Sequence, residues 1–187
     1  MKAGLVELTD DDRAAILGLL DEAAAMDGKT NHSIIYKADR QSFTRNSLWL
    51  YRARQDGRYH FQIRGPADHQ LGLTFADPAG EKQAGDGKWH HLVITVARSK
   101  MRSGHGRVRA FLDGKPVGQS PIDSDVAINN DGALVIGNNH SSNATWQGGI
   151  DELALYDRVI DDTTIVKHFE AGRRELMTKR RPTSSVA

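Results

Sequence analysis

Residues 86–114, DGKWHHLVITVARSKMRSGHGRVRAFLDG, constrain the fold of this chain more than any other stretch. The run KWHHLVITVA over 88–97 is rich in β-branched and aromatic residues and follows an Asp-Gly pair, which marks a strand. Residues 107–113, RVRAFLD, alternate: Val108, Ala110 and Leu112 face one way, Arg107, Arg109 and Phe111 the other. Between the two runs, SKMRSGHG is a polar loop punctuated by glycine. Asp113-Gly114 then turns the chain tightly into a further strand over 115–119. Strands joined in this way predict an antiparallel sheet with one buried face.

Strand patterns recur on both sides of this stretch. The first falls at 34–38. In NSLWLYRAR, residues 46–54, Leu48, Leu50 and Arg52 share one face, and Trp49 and Tyr51 the other. Asp56-Gly57 turns into 58–64, where Tyr59, Phe61 and Ile63 alternate with His60, Gln62 and Arg64. Further strands are expected at 70–75, 133–137 and 146–158, with a polar connection over 121–132 and a loop over 138–145. Nine or ten short strands with Gly, Asn and Asp turns, and no β–α alternation, predict an all-β, two-sheet antiparallel sandwich.

Two segments read as helix. Thr9 can cap a helix with Asp12 three residues on, and Ile16, Leu17, Leu20, Ala23 and Ala24 recur at helical spacing up to Asp27-Gly28. Such an amphipathic helix serves either to pack on its own domain or to dock a partner. Near the other end, Asp161 caps a short helix over 163–171 with Ile165, Val166 and Phe169 inward and Gly172 as its stop. The expected organisation is therefore an acidic helical segment at 1–30, a sandwich at 31–172 and a basic, disordered tail at 173–187.

In order along the chain, DGKWHHLVITV, VRAFLDGKPV, LVIGNN and GGIDELALYDRVI resemble the laminin G-like domains, of the concanavalin A-like lectin/glucanase jelly rolls. The resemblance covers roughly residues 33–172 and implies a jelly-roll sandwich. Members of this family open with strands that pair near the closing one, here 149–158, and this chain reads as lacking them. Either the N-terminal helix, a second copy or a neighbouring domain is expected to complete the sheet, since a bare edge invites aggregation.

Charge and composition remove several classes of function. Net charge is +1, but residues 1–28 carry −5 and residues 172–187 carry +4. The basic tail, Arg173-Arg174 and Lys179-Arg180-Arg181, lacks the interleaved aromatics that stack on bases, so no nucleic-acid partner is expected. No apolar run approaches the ~20 residues of a membrane span. Acids precede the apolar 14–20, so the N-terminus does not read as a secretory signal, and the compartment stays open. There are no cysteines, which excludes disulfides and thiolate metal sites.

The expected function is a non-catalytic binding or adhesion module. The alternatives are a structural or assembly module and, behind it, a glycoside hydrolase. Sandwich glycosidases place paired carboxylates on one strand, and no E-x-D-x-x-E spacing occurs here. Asp151 and Glu152 are adjacent and would point to opposite faces. His90 and His91, also adjacent, cannot chelate one ion together.

For a glycan or protein ligand the candidates are Asn138, Asn139, His140, Asn143 and Trp146: amides that hydrogen-bond hydroxyls, and an indole face to stack on. Trp49 offers a second flat face. The resemblance implies calcium as the one candidate cofactor, through the oxygens of Asn138, Asn139, Asp131 and Asp151. Against it, the acidic triplet that pentraxin-like relatives carry after this strand is Asn138-Asn139-His140 here, and histidine is a poor calcium ligand.

Overall fold

A computed structural model describes residues 15–21, 31–38, 47–65, 70–75, 88–98, 106–122, 130–139 and 144–179. The described residues form ten strands: β1 (Ala15–Asp21), β2 (His32–Lys37), β3 (Ser47–Arg52), β4 (Tyr59–Arg64), β5 (Gln70–Phe75), β6 (Trp89–Arg98), β7 (Gly106–Leu112), β8 (Lys115–Ile122), β9 (Leu134–Ile136) and β10 (Ile150–Tyr156). One helix follows, α1 (Asp162–Lys179). The strands form two antiparallel five-stranded sheets, a front sheet ordered β5-β4-β3-β2-β9 and a back sheet ordered β10-β1-β6-β7-β8. No described helix is long and apolar enough to cross a membrane.

Alternation along the strands builds the core between the sheets. Leu48 and Leu50 of β3, Tyr59, Phe61 and Ile63 of β4, and Leu71, Leu73 and Phe75 of β5 meet Leu92, Ile94 and Val96 of β6 and Val108, Ala110 and Leu112 of β7. The seams of the sandwich are close. A Cβ at Gly118 of β8 would stand 3.1 Å from Phe75 of β5, and one at Gly137, just past β9, would stand 3.7 Å from Ile150 of β10.

The back sheet departs from the expectation of one buried face. Val93 and Phe111, on its outer side, are also buried, together with Ile160 and Ile165. Helix α1 makes this second layer, with Ile165 fully enclosed and Phe169 ringed against His91. Asp161 caps the helix by accepting the Thr164 N–H at 2.8 Å, and Asp162 is held by both guanidinium nitrogens of Arg109, at 2.6 and 2.8 Å. That guanidinium keeps the Asp162 carboxyl below the usual carboxylate range. Val166 is 39 % exposed, contrary to the inward placement expected of it, because the face toward the sheet runs through 165, 168, 169 and 172.

Gly172 does not stop α1, which continues to Lys179. A glycine inside a helix costs only about 1 kcal/mol, and the RRELM that follows it is made of strong helix formers. Residues 173–179 are thus helical rather than disordered tail; residues 180–187 lie outside the described part.

The largest correction concerns the N-terminus. Ala15–Asp21 is not helical but forms β1, paired antiparallel with β6 from Ala15↔Thr95 to Asp21↔Trp89 and with β10 from Ala15↔Tyr156 to Leu20↔Ile150. The chain's own β1 therefore fills the place expected to be taken by a helix, a second copy or another domain. A strand hydrogen-bonded on both sides inside a covered sheet reads as a continuous apolar run, and AILGLLD is short enough to mimic either period.

The pairing of β1 with β10 is shifted between Leu17 and Leu19, and Glu152 opposite this shift has φ of 53°. This bulge adds a residue to β10, so Ile150 and Leu153, three apart, both pack on the core between the sheets. Ala154 and Tyr156 turn to the α1 side.

Candidate functional site

The segment from Gly137 to Trp146 is closed at its base by two backbone bonds. The Gly137 N–H donates to Ile34 O at 2.9 Å, and the Trp146 N–H donates to Gly137 O at 2.8 Å. Gly137 has φ of +73°, a left-handed conformation that suits glycine. Asn138 and Asn139 are half-buried, and Asn138 Oδ1 already accepts the Asn139 N–H at 2.8 Å. His140 and Asn143 lie outside the described residues. Trp146 points inward: it is 6 % exposed and belongs to the core cluster, so its ring offers no face to a ligand. Its expected role as a stacking platform is corrected to a core role.

The four oxygen donors considered for calcium, Asn138, Asn139, Asp131 and Asp151, are partly engaged by the protein itself. Asp131 precedes β9 and Asn138 follows it, with the length of the strand, about 10 Å, between them. Around Asp131 the carbonyls of Asn130 and Gly132 already accept the Lys37 ammonium, at 3.1 and 2.6 Å. A fixed cation on these oxygens opposes a second one. Asp151 Oδ1 accepts the Glu152 N–H at 2.9 Å. Among the described residues, no group of three or more His, Cys, Asp or Glu is placed to hold a metal ion.

The structure assembles a different surface, on the outer face of the front sheet. Because Leu48 and Leu50 point to the core, Trp49 and Tyr51 of β3 point outward. They stack on each other with ring centroids 4.1 Å apart and planes at 29°. Tyr51 stacks in turn on His60 of β4 at 5.1 Å and 14°, and Tyr36 of β2 meets Trp49 edge-on at 6.0 Å. The Trp49 Nε1–H donates to Ser33 Oγ at 2.7 Å, which fixes the indole. His60 is held from both sides, with Nε2 3.3 Å from Asp56 Oδ2 and Nδ1 3.2 Å from Thr74 Oγ1. A carboxylate only accepts, so Nε2 donates to Asp56, and in the neutral ring Nδ1 accepts from the Thr74 hydroxyl.

Two rows of side chains cross this face. One runs Tyr36–Trp49–Gln62–Gly72 and the other Ser33–Tyr51–His60–Thr74, each set by the strand registers. Tyr36 and Tyr51 are buried, Trp49, His60 and Gln62 are half-buried, and Gly72 and Thr74 are exposed. At Gly72, no described atom lies within 4 Å of where a Cβ would stand, which leaves an open notch beside Gln62 and Thr74. Burial, then the nearby Asp56 carboxylate, raises the Tyr51 pKa, so its hydroxyl stays protonated. Burial pushes Asp56 the other way from its net shift: the Arg58 N–H and His60 hold it below its ordinary value.

With the fold and these surfaces in place, comparison with known proteins decides the family. A family profile described as the concanavalin A-like lectin/glucanases superfamily, of laminin G type, matches residues 24–166. The chain belongs to this superfamily. The matched segment begins after β1, so the strand that completes the back sheet lies outside it. A comparison with curated proteins finds no match.

Among solved structures, the superfamily chain is similar to the binding domain of botulinum neurotoxin serotype G, with TM-score 0.65 and 11% identity over 91% of this chain and 39% of that one. The binding domain of Paraclostridial Mosquitocidal Protein 1 gives 0.69 and 10% identity, over 91% and 40%. The receptor binding domain of botulinum neurotoxin D gives 0.66 and 13%, again over 91% and 40%. At such identities the likeness is one of fold, and the chain spans about two fifths of the length of these domains.

Proposed function

We propose that this chain is a non-catalytic binding module that takes a carbohydrate on the outer face of its front sheet. The carrying observation is the pair of half-buried rings Trp49 and His60, stacked on either side of the buried Tyr51, locked by Ser33, Asp56 and Thr74 and bordered by the Gly72 notch. Saccharides present apolar C–H faces between hydroxyls. A rigid aromatic edge beside an amide and a hydroxyl, here Gln62 and Thr74, answers both without an ordering cost. Structurally similar domains are described as binding and receptor binding domains, and one was solved in complex with SialylT, which supports a binding role. The polar loop carrying Asn138, Asn139, His140 and Asn143 is a second contact region in this reading. Calcium is given no part in the front-face site, where the carboxylate among the described residues, Asp56, is already engaged by His60.

A glycan array in calcium and in chelator tests this. Binding is expected in both buffers, and Trp49→Ala is expected to weaken it at least about tenfold, the scale of losing one well-packed aromatic contact. Undiminished binding by Trp49→Ala, alongside loss in Asn139→Ala, would move the site to the loop.

A second reading, assembly, has its own observation. Leu134 and Ile136 of edge strand β9 and Leu155 of edge strand β10 are 39 %, 49 % and 38 % exposed on the same seam of the sandwich. Exposed apolar side chains on open strand edges favour pairing between copies. Light scattering across a hundredfold concentration range is expected to show dimers that Ile136→Asp abolishes; a monomer throughout rejects this reading.

A further inference from the structure

Between the back sheet and α1 lies a histidine placed where its charged form is poorly supported. His91 of β6 is 2 % exposed, and among the described residues neither ring nitrogen has a hydrogen-bond partner. Its ring lies against Phe169 of α1 at 6.2 Å. Among the described residues, few charged or titratable groups face it. Asp113, in the turn between β7 and β8, has both oxygens taken, one by the His91 backbone N–H at 3.0 Å and the other by His90 Nδ1 at 2.9 Å. His168 of α1 lies near enough to oppose a second positive charge, and itself meets Tyr156 of β10 at 6.4 Å.

Neutral, the His91 ring is an acceptable filler beneath Phe169. An imidazolium there would bring two unsatisfied N–H donors and a charge into a nearly dry layer. The side chain cannot turn to solvent while α1 is seated, so the cost falls on the seating of α1.

We infer that α1 is an acid-releasable cover: protonation of His91 lifts the helix from its C-terminal side and bares Val93, Phe111 and their neighbours on the back sheet. The N-terminal end stays attached in this motion. The Arg109–Asp162 pair and the Asp161 cap sit at the first turn, away from His91. Asp162 remains ionised well into acid because Arg109 holds its pKa down. The front sheet, with the proposed binding face, lies across the core from α1 and is not part of the change.

Hydrogen exchange on the whole chain between pH 7 and pH 4, corrected for intrinsic rates, tests this with a fluorescent reporter of exposed apolar surface. Amides of α1 from Ile165 onward are expected to lose protection by about tenfold per pH unit below the ordinary histidine range, while β3 and β4 stay protected and reporter fluorescence rises. His91→Phe, which keeps a ring against Phe169 and removes the titration, is expected to hold α1 protected to pH 4. Should His91→Phe fail to fold, His168→Gln is expected to shift the loss to lower pH. The inference is overturned if α1 stays protected in the native chain at pH 4, if both variants follow the native profile, or if β3 and β4 open together with α1.

Discussion

Replacing Trp146 with alanine is expected to cost about 3–5 kcal/mol of folding stability, the range for emptying a large aromatic site in a core. The indole belongs to the core cluster between the sheets, and the backbone around it is pinned by Gly137 O, so the site cannot collapse freely. Its buried Nε1–H has no partner among the described residues. Trp146→Phe removes that unsatisfied donor while keeping most of the volume, and is expected to be far milder than alanine. Urea denaturation of the three proteins gives the comparison. A loss below about 1 kcal/mol in Trp146→Ala, joined to a loss of ligand binding, would return this residue to the ligand-contacting role suggested by its polar neighbours.

The second large effect is a stability that declines in acid. Burial, and then the nearby His168, depress the His91 pKa from 6.5 to about 4, with Asp113 opposing the shift. The unfolded chain therefore binds more protons at this residue than the folded one between these values. Stability from this group is complete above pH 6.5 and falls as pH drops toward 4. The whole span corresponds to at most about 3.5 kcal/mol, at about 1.36 kcal/mol per unit. Unfolding midpoints in urea at pH 7 and pH 4.5 are expected to differ for the native chain, and the difference is expected to shrink in His91→Phe. An equal acid loss in both proteins would place the sensitivity elsewhere.

Much of the sandwich was legible in the sequence because strand alternation is a local property. Tyr59, Phe61 and Ile63 against His60, Gln62 and Arg64 announce a half-buried strand whatever lies opposite, and the structure sorts them in that way. Leu48 and Leu50 against Trp49 and Tyr51 behave the same. The turn at Asp113-Gly114 follows from two residues that tolerate positive φ, 51° and 76° here. The family, too, is carried by short ordered segments that a reader meets along the chain.

The candidate site was less legible. Trp49 stood out as a flat face, but its partners Tyr51, His60, Ser33 and Thr74 sit on four strands, and only the register makes them one surface. The available signal was alternation, Trp49 and Tyr51 with Leu48 and Leu50, His60 with Tyr59 and Phe61, and Thr74 with Leu73 and Phe75; in β2 the register shift between Ser33 and Ile35 hides it. Trp146 drew attention by following a polar loop, yet whether an indole turns in or out depends on where the sheets leave room.

By itself, then, the sequence determined the strands with clean alternation, the tight turns and the two-sheet class, since backbone preference and period 2 act over a few residues. Tertiary structure decided the rest. It made AILGLLD a strand, because β6 and β10 offer hydrogen bonds on both sides that no local helix could match within the sheet. It carried α1 past Gly172, because the cost of one glycine is small against the neighbouring helix formers. It also buried His91, because only the docking of α1 removes that ring from water. Each of these outcomes depends on surface supplied by a distant part of the chain, and no local pattern encodes where that surface will be.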